Sequence, residues 1–267
     1  MISPELQKKL RRLAGLFQSY GRVAVAFSGG VDSTFLIKYA HDTLGGGATA
    51  VTVTAPNFPP DETEEAIEFC KQAGIRHILV DPGESFLSSF AHNPPDRCYI
   101  CKKLIFTGLL DHHELSGVVL ADGTNADDSS DYRPGEKALR ELGIRSPLRE
   151  AGLSKDDIRS AAKDMGLAIW DKPALACLAS RIPYGEEITP EKLKSIYTLE
   201  KFLFDSGFSQ VRVRRHGDLA RIEVLPAERE KFFDAAFMDK VNEAAKGAGF
   251  IYSALDLSGY KMGNMNY

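Results

Sequence analysis

Short apolar runs alternate with stretches of helical spacing along the first two thirds of the chain. The runs predict buried strands, and the leucines and phenylalanine between positions 6 and 17 have the period of an amphipathic helix. Strands are predicted at 23–27, 48–54, 76–80 and 118–121, and helices at 4–19, 33–44, 61–73 and 154–165, with one more ending near 115. Strands that alternate with helices in this way predict a doubly wound, mostly parallel α/β sheet.

The last third of the chain has a different order of elements. The predicted elements are a helix at 190–205, a hairpin of strands 210–216 and 219–225, a helix at 226–246 and a strand at 250–256. This order favours a smaller α+β domain. We predict a boundary at 185–189, and therefore domains 1–185 and 186–267.

Two further segments carry less regular patterns. Prolines and a glycine predict a structured loop rather than a helix at 170–185, and the tail 257–266 is polar and rich in glycine. A second irregular stretch, 129–150, is predicted to be a loop and short helix on the substrate side.

Composition and charge narrow the function classes. The 267 residues carry a formal net charge of −4, which argues against a large nucleic-acid footprint because such surfaces are usually basic. No apolar run approaches the roughly 20 residues of a membrane-spanning helix. The first residues have no signal-peptide architecture, so we expect a cytoplasmic protein.

The candidate chemistry begins at the end of the first predicted strand, in the loop Ser28-Gly29-Gly30-Val31-Asp32-Ser33. Glycine lets a backbone approach a ligand closely, and the N-terminus of the following helix favours phosphate. The hydroxyls of Ser28 and Ser33 add donors. Since Asp32 cannot bind phosphate directly, we expect it to hold Mg²⁺ or to order the loop. The spacing and lysine of a Walker loop are absent.

This loop, placed between a strand and a helix, resembles the pyrophosphate-binding loop of the N-type ATP pyrophosphatases. Those enzymes adenylate a substrate oxygen and release pyrophosphate, so the resemblance implies ATP and Mg²⁺ as cofactors. A second polar strand end, Asp122-Gly123-Thr124-Asn125, should face the same pocket. The residues predicted to bind ATP or pyrophosphate are Ala26, Ser28, Gly29, Gly30, Asp32, Ser33, Thr54, Gly123 and Asn125.

The four cysteines leave several interpretations open. Cys98 and Cys101 form one C-x₂-C pair, and Cys177 stands alone in a loop bounded by prolines. Together they could hold a [4Fe-4S] cluster with one iron that has no protein ligand, or a zinc ion with a fourth ligand from elsewhere, or they could be unrelated reduced thiols. Cys70 lies in a predicted amphipathic helix, where packing is the favoured role.

The chain as a whole resembles one ATP-pyrophosphatase family, the sulfur transferases of nickel-pincer nucleotide biosynthesis (the LarE family). The resemblance rests on the Ser28–Ser33 loop, on Asp122–Asn125, on Cys177–Arg181, on the strand with Arg212 and Arg214, and on the tail from Gly259 to Asn266.

The family activity implies a concrete reaction. ATP adenylates a carboxylate of pyridinium-3,5-biscarboxylic acid mononucleotide, and a sulfur nucleophile displaces AMP to give a thiocarboxylate. Some members sacrifice a cysteine at the position of Cys177 and leave dehydroalanine, whereas others use three cysteines and a [4Fe-4S] cluster whose open iron holds the transferred sulfide. Cys98 and Cys101 place this chain in the second group.

The resemblance also implies roles for charged residues of the second half. Arg212 and Arg214 lie two residues apart on one strand face and suit a substrate phosphate; without the resemblance, a solvated strand face is favoured. Arg181 is a candidate for the α-phosphate or the acyl-adenylate, against a surface salt bridge. For Glu223, structural pairing is favoured over metal binding.

Two other functions and several partners complete the predictions. A cluster-dependent tRNA thiolase also combines a pyrophosphate loop with three cysteines, and an ATP-binding regulator could carry a structural zinc. For the favoured function we expect a small mononucleotide substrate, a sulfide source or sulfur-donor protein, no membrane and no nucleic acid. Some family members are hexamers, so we expect a homo-oligomer.

Overall fold

The computed structural model describes residues 2–130, 134–172 and 177–261. Its α-helices are α1 (Pro4–Tyr20), α2 (Val31–Leu44), α3 (Pro60–Ala73), α4 (Ser85–Ser88), α5 (Arg97–Leu110), α6 (Pro134–Glu141), α7 (Pro147–Ala151), α8 (Lys155–Asp164), α9 (Pro190–Asp205) and α10 (Ala235–Gly247). Its strands are β1 (Val23–Ala26), β2 (Ala48–Val53), β3 (Arg76–Val80), β4 (Val119–Ala121), β5 (Val211–His216), β6 (Leu219–Val224) and β7 (Tyr252–Leu255). Over these described stretches, no helix has the length and apolar character needed to cross a bilayer.

The chain forms two compact units. The first comprises Met1–Ala55, Pro60–Phe86 and Asp96–Leu175, and the second comprises Pro56–Pro59, Leu87–Pro95 and Ala176–Tyr267. The second unit therefore takes in two short segments from the first half of the chain. The predicted domains 1–185 and 186–267 stay a prediction.

The first unit is built on a parallel sheet with the strand order β3-β2-β1-β4. Val23 and Val25 pack into one apolar core with α1, α2 and α8, whereas Ala24, on the opposite face, packs with α5 and α6. Helices on both faces confirm the predicted doubly wound α/β fold. Because β2 and β4 flank β1 on opposite sides, the carboxyl end of β1 lies at the switch point where such sheets bind ligands.

The second unit contains a smaller sheet with the order β5-β6-β7, as expected for an α+β unit. The hairpin of β5 and β6 is antiparallel, and β7 joins β6 in parallel. One predicted helix is wrong: a 3₁₀ helix occupies Pro226–Phe233, and α10 begins only after Asp234. The Asp234 side chain accepts a hydrogen bond from the backbone N–H of Ala236, 3.0 Å away, and this cap starts a new helix.

The predicted loop at 170–185 contains two 3₁₀ turns, at Ala168–Asp171 and Leu178–Arg181. Its residues 173–176 lie outside the described residues, as do 131–133 of the predicted substrate-side loop and 262–266 of the tail.

Candidate active site

The loop after β1 has a backbone that only glycine serves well. Gly29 adopts a φ of 72°, and a Cβ built there would lie 3.2 Å from the carbonyl oxygen of Glu62. Both the left-handed backbone and the close approach disfavour any side chain. Gly30 occupies the position before α2, where no side chain of the described residues caps the helix. The first turn of α2 therefore presents backbone N–H groups suited to an anion.

The two predicted serines close this loop on itself. The hydroxyl oxygens of Ser28 and Ser33 lie 3.2 Å apart, and the backbone N–H of Ser28 donates to the Ser33 hydroxyl at 3.3 Å. The Ser33 hydroxyl in turn donates to the Gly30 carbonyl at 3.1 Å. These contacts hold the loop against the start of α2 in the absence of a ligand.

The second polar strand end meets the first, as the parallel topology predicts. A Cβ on Gly123 would lie 3.3 Å from the backbone nitrogen of Ser33, so this glycine allows the segment after β4 to lie against the first turn of α2. The amide nitrogen of Asn125 lies 3.3 Å from a carboxylate oxygen of Asp32, to which it donates. The structure thus brings Gly123 and Asn125 to the loop.

The remaining predicted ATP-site residues lie at the ends of neighbouring strands. Ala26 is the last residue of β1 and is half-buried. Thr54 follows β2, and its backbone N–H donates to the carbonyl of Val80 at the end of β3, 2.9 Å away. Both therefore lie at the carboxyl edge of the sheet.

Lys155 is a functional candidate that sequence reasoning missed. Its ammonium nitrogen lies 2.7 and 2.8 Å from the two carboxylate oxygens of Asp32. Lys155 is also the first residue of α8, where the helix dipole disfavours a cation. A lysine in that unfavourable position, beside the capping Ser154, is the signal that could have indicated a partner elsewhere.

In the second unit, the loop of Cys177 is tied to a buried ion pair. The Arg181 side chain is 1% exposed and binds Glu200 through two hydrogen bonds of 2.9 Å each. Arg181 also donates to the carbonyl of Cys177 at 3.1 Å, and Glu200 accepts from the backbone N–H of Val213 at 2.8 Å. The surface salt bridge considered for Arg181 is therefore a buried one. Its contact with a phosphate or acyl-adenylate stays a prediction.

Arg212 and Arg214 are both buried, so the strand face that carries them is not solvated. Arg214 contacts one carboxylate oxygen of Glu223 at 2.9 and 3.1 Å. Arg212 lies opposite Glu223 in the strand register and stacks over the ring of Tyr260, 5.3 Å from its centroid. Burial, together with the positive charge of Arg181, lowers the pKa of Arg212 to about 10, which still leaves the guanidinium charged at neutral pH.

Glu223 is fully buried and has a second arginine partner, Arg221, at 3.2 Å. This contact and the one with Arg214 make it a link between two strands. The structural pairing favoured for Glu223 from the sequence is present.

The predicted cysteine ligands fall in both units. Cys98 and Cys101 lie in the first two turns of α5, one helical turn apart, and Cys98 is exposed. Cys177 belongs to the second unit. Cys70 is buried in the core, where desolvation raises the pKa of its thiol to about 12, in keeping with packing. Within 2–130, 134–172 and 177–261, no group of three or more His, Cys, Asp or Glu residues is placed to hold a metal ion.

A parallel sheet with a Ser-Gly-Gly loop and an acidic residue at its switch point defines the class of PP-loop ATP pyrophosphatases. Comparison with known proteins agrees: the chain is 30% identical over 160 residues to a polypeptide of the glutamine-hydrolysing GMP synthase of Methanocaldococcus jannaschii, covering 55% of this chain and 50% of the relative. No family model matches the chain.

Two relatives match along almost the whole length. One is the pyridinium-3,5-bisthiocarboxylic acid mononucleotide synthase of Lactiplantibacillus plantarum, 38% identical over 267 residues, which covers 98% of this chain and 95% of the relative. The other is an uncharacterised protein of Synechocystis, 41% identical over 268 residues and 98% of both chains. The chain belongs to the pyridinium-3,5-bisthiocarboxylic acid mononucleotide synthase (LarE) family and is an enzyme.

Proposed function

We propose that this enzyme is an ATP-dependent sulfurtransferase that converts the carboxylates of pyridinium-3,5-biscarboxylic acid mononucleotide to thiocarboxylates for the nickel-pincer nucleotide. The observation that carries the proposal is the full-length similarity to the synthase of L. plantarum. The phosphate loop at the switch point of the sheet supports the use of ATP.

The first half-reaction would take place at the loop after β1. A substrate carboxylate oxygen attacks the α-phosphorus of ATP, the bond from that phosphorus to the bridging oxygen breaks, and pyrophosphate leaves. The N–H groups at the start of α2 and the hydroxyls of Ser28 and Ser33 stabilise the departing charge. Asp32 would hold Mg²⁺, and the carboxylate chemistry at this position fits that ion. Lys155, once released from Asp32, can face a phosphate.

The second half-reaction exchanges oxygen for sulfur. An anionic sulfur attacks the acyl carbon, the carbon–oxygen bond to the adenylate breaks, and AMP takes the electron pair. We assign Cys177 to sulfur delivery and Arg181 to holding the loop of Cys177 in place for the acyl-adenylate. Arg212 and Arg214 would bind the phosphate of the mononucleotide, since a desolvated guanidinium binds phosphate strongly.

The thiols of Cys98, Cys101 and Cys177 would hold the [4Fe-4S] cluster. The donor set fits, because thiolates are the usual ligands of iron–sulfur clusters and a helix N-terminus favours the thiolate form of Cys98. The cluster would supply an iron without a cysteine ligand as the place where sulfide is carried. A sulfide source or sulfur-donor protein would then reload the site, and we expect the enzyme to be a homo-oligomer.

The direct test of the function is the reaction itself. Incubation with ATP, Mg²⁺, sulfide and the biscarboxylic mononucleotide is expected to release AMP and pyrophosphate and to yield a product in which sulfur replaces oxygen, identified by mass spectrometry. Omitting the mononucleotide should abolish pyrophosphate release. Release that depends on added tRNA instead, with thiolated tRNA as product, would contradict the proposal and favour a tRNA thiolase.

The cluster is tested by iron and acid-labile sulfide analysis of protein reconstituted without oxygen. Wild-type protein should contain about four of each per chain, and Cys98→Ala should lose most of both because a [4Fe-4S] cluster depends on its thiolate ligands. Cys70→Ala is the matched control and should retain them. Unchanged iron in Cys98→Ala would rule out this ligand set, and stoichiometric zinc in its place would favour the regulator.

A further inference from the structure

Asn57 contacts the sulfur that we assign to delivery. The residue lies in the short segment Pro56–Pro59, which belongs to the second unit together with the loop of Cys177. Its side chain is fully buried, and its amide nitrogen lies 3.3 Å from the sulfur of Cys177, to which it donates. These two residues are 120 positions apart in sequence.

The main chain of Asn57 makes a separate contact with the same loop. Its carbonyl accepts a hydrogen bond from the backbone N–H of Leu178 at 3.0 Å. That bond fixes the two segments against each other and does not depend on the side chain. The amide contact with the sulfur can therefore be removed by substitution while the backbone connection is kept.

The other end of the amide indicates that this side chain is not kept for packing. The Oδ1 atom of Asn57 is buried and has no hydrogen-bond partner among the described residues. A buried polar atom without a partner costs about 1–3 kcal/mol, so a side chain whose only role was to fill space would be better apolar. The contact that the amide does make is the one with Cys177.

We propose that Asn57 is a positioning residue that holds the sulfur of Cys177 in its anionic form and fixes its direction. An N–H donor stabilises a thiolate more than a thiol, because the hydrogen bond is stronger when the acceptor is charged. The same bond lowers the charge on a sulfur that ligates a metal, as outer contacts of metal ligands commonly do. The inference rests on the proposed function only in giving this sulfur a role in transfer.

The test measures the pH profile of alkylation of Cys177 by iodoacetamide, followed on its peptide by mass spectrometry in the full-length, iron-free chain. Asn57→Asp replaces the donor with an acceptor of the same shape. It is expected to move the midpoint of the profile upward by at least one pH unit, so that alkylation at pH 7 slows about tenfold. Asn57→Leu, which has no donor and no charge, should shift the midpoint in the same direction by less.

Two internal controls separate positioning from loss of structure. Cys98, which belongs to the other unit, should keep its profile in every variant, and Asn57→Ser, which restores a donor, should bring the midpoint of Cys177 back toward the wild-type value. A midpoint unchanged in both Asn57→Asp and Asn57→Leu would overturn the inference. The assay uses neither ATP nor mononucleotide, so its failure is distinct from a failure to form thiocarboxylate.

Discussion

A Cys177→Ser enzyme is expected to release pyrophosphate from ATP and yet form no thiocarboxylate. The residues of the phosphate loop lie in the first unit and are untouched, so adenylation of the mononucleotide should proceed. A serine oxygen can neither ligate iron as a thiolate does nor supply sulfur. We expect product formation to fall at least about a thousandfold, equivalent to about 4 kcal/mol of transition-state stabilisation. The measurement is pyrophosphate and thiocarboxylate from the same reaction, with a pyrophosphate burst that does not exceed one per active site if the acyl-adenylate stays bound.

Cys70→Ala is the matched control for this experiment. Cys70 is buried in the apolar core, where desolvation keeps its thiol protonated, so its loss should leave both products near the wild-type level. Cys98→Ser decides between the two sulfur routes: delivery through a cluster predicts a loss as large as that of Cys177→Ser, whereas a sacrificial Cys177 predicts one normal turnover that leaves dehydroalanine. Wild-type amounts of thiocarboxylate from Cys177→Ser would remove this residue from the mechanism.

The phosphate loop and the sheet beneath it could be predicted because their signals are local. An apolar run, two glycines, two serines and a helix follow one another within about twenty residues, and each has one favoured structure in that context. The opposite placement of Val23 and Ala24 in two cores follows directly from the period of a strand. Parallel topology then places Asn125 at the same edge, since all strands of a parallel sheet end on one side.

The partners of charged side chains could not be predicted in the same way. The sequence leaves a surface salt bridge open for Arg181, but its guanidinium is buried against Glu200, which belongs to the next long helix. Sequence spacing contains no record of such a pair, because the two residues approach only when the unit folds. Asn57 is a sharper case, since its segment leaves the first unit between β2 and α3 and joins the second.

The helix predicted over 226–246 failed for a different reason. Its apolar positions are compatible with one helical face, but Asp234 offers a side-chain oxygen that competes for a backbone N–H in the middle of the stretch. Residues of this type favour caps over helix interiors. Pattern alone could not decide between the two, because cap and interior differ by a local hydrogen bond.

Asp32→Asn is expected to lower the rate of pyrophosphate formation at least about a hundredfold, because the amide keeps the shape of the side chain and removes the charge that a metal ion requires. Loss of stability cannot explain an effect of this size. The ion pair between Asp32 and Lys155 is partly exposed, with 22% and 32% of the two side chains accessible, and such pairs contribute about 1 kcal/mol or less. The rate is measured with mononucleotide present and at saturating ATP.

Lys155→Met separates the two roles that the ion pair could have. If Asp32 only orders the loop through Lys155, the single variants should lose activity equally, and the double variant Asp32→Asn/Lys155→Met should lose no more than either. If Asp32 holds Mg²⁺ and Lys155 faces a phosphate, as we propose, Lys155→Met should lose about tenfold alone and the losses should combine in the double variant. Pyrophosphate formation by Asp32→Asn at the wild-type rate would exclude both roles, because the carboxylate would then have no part in adenylation.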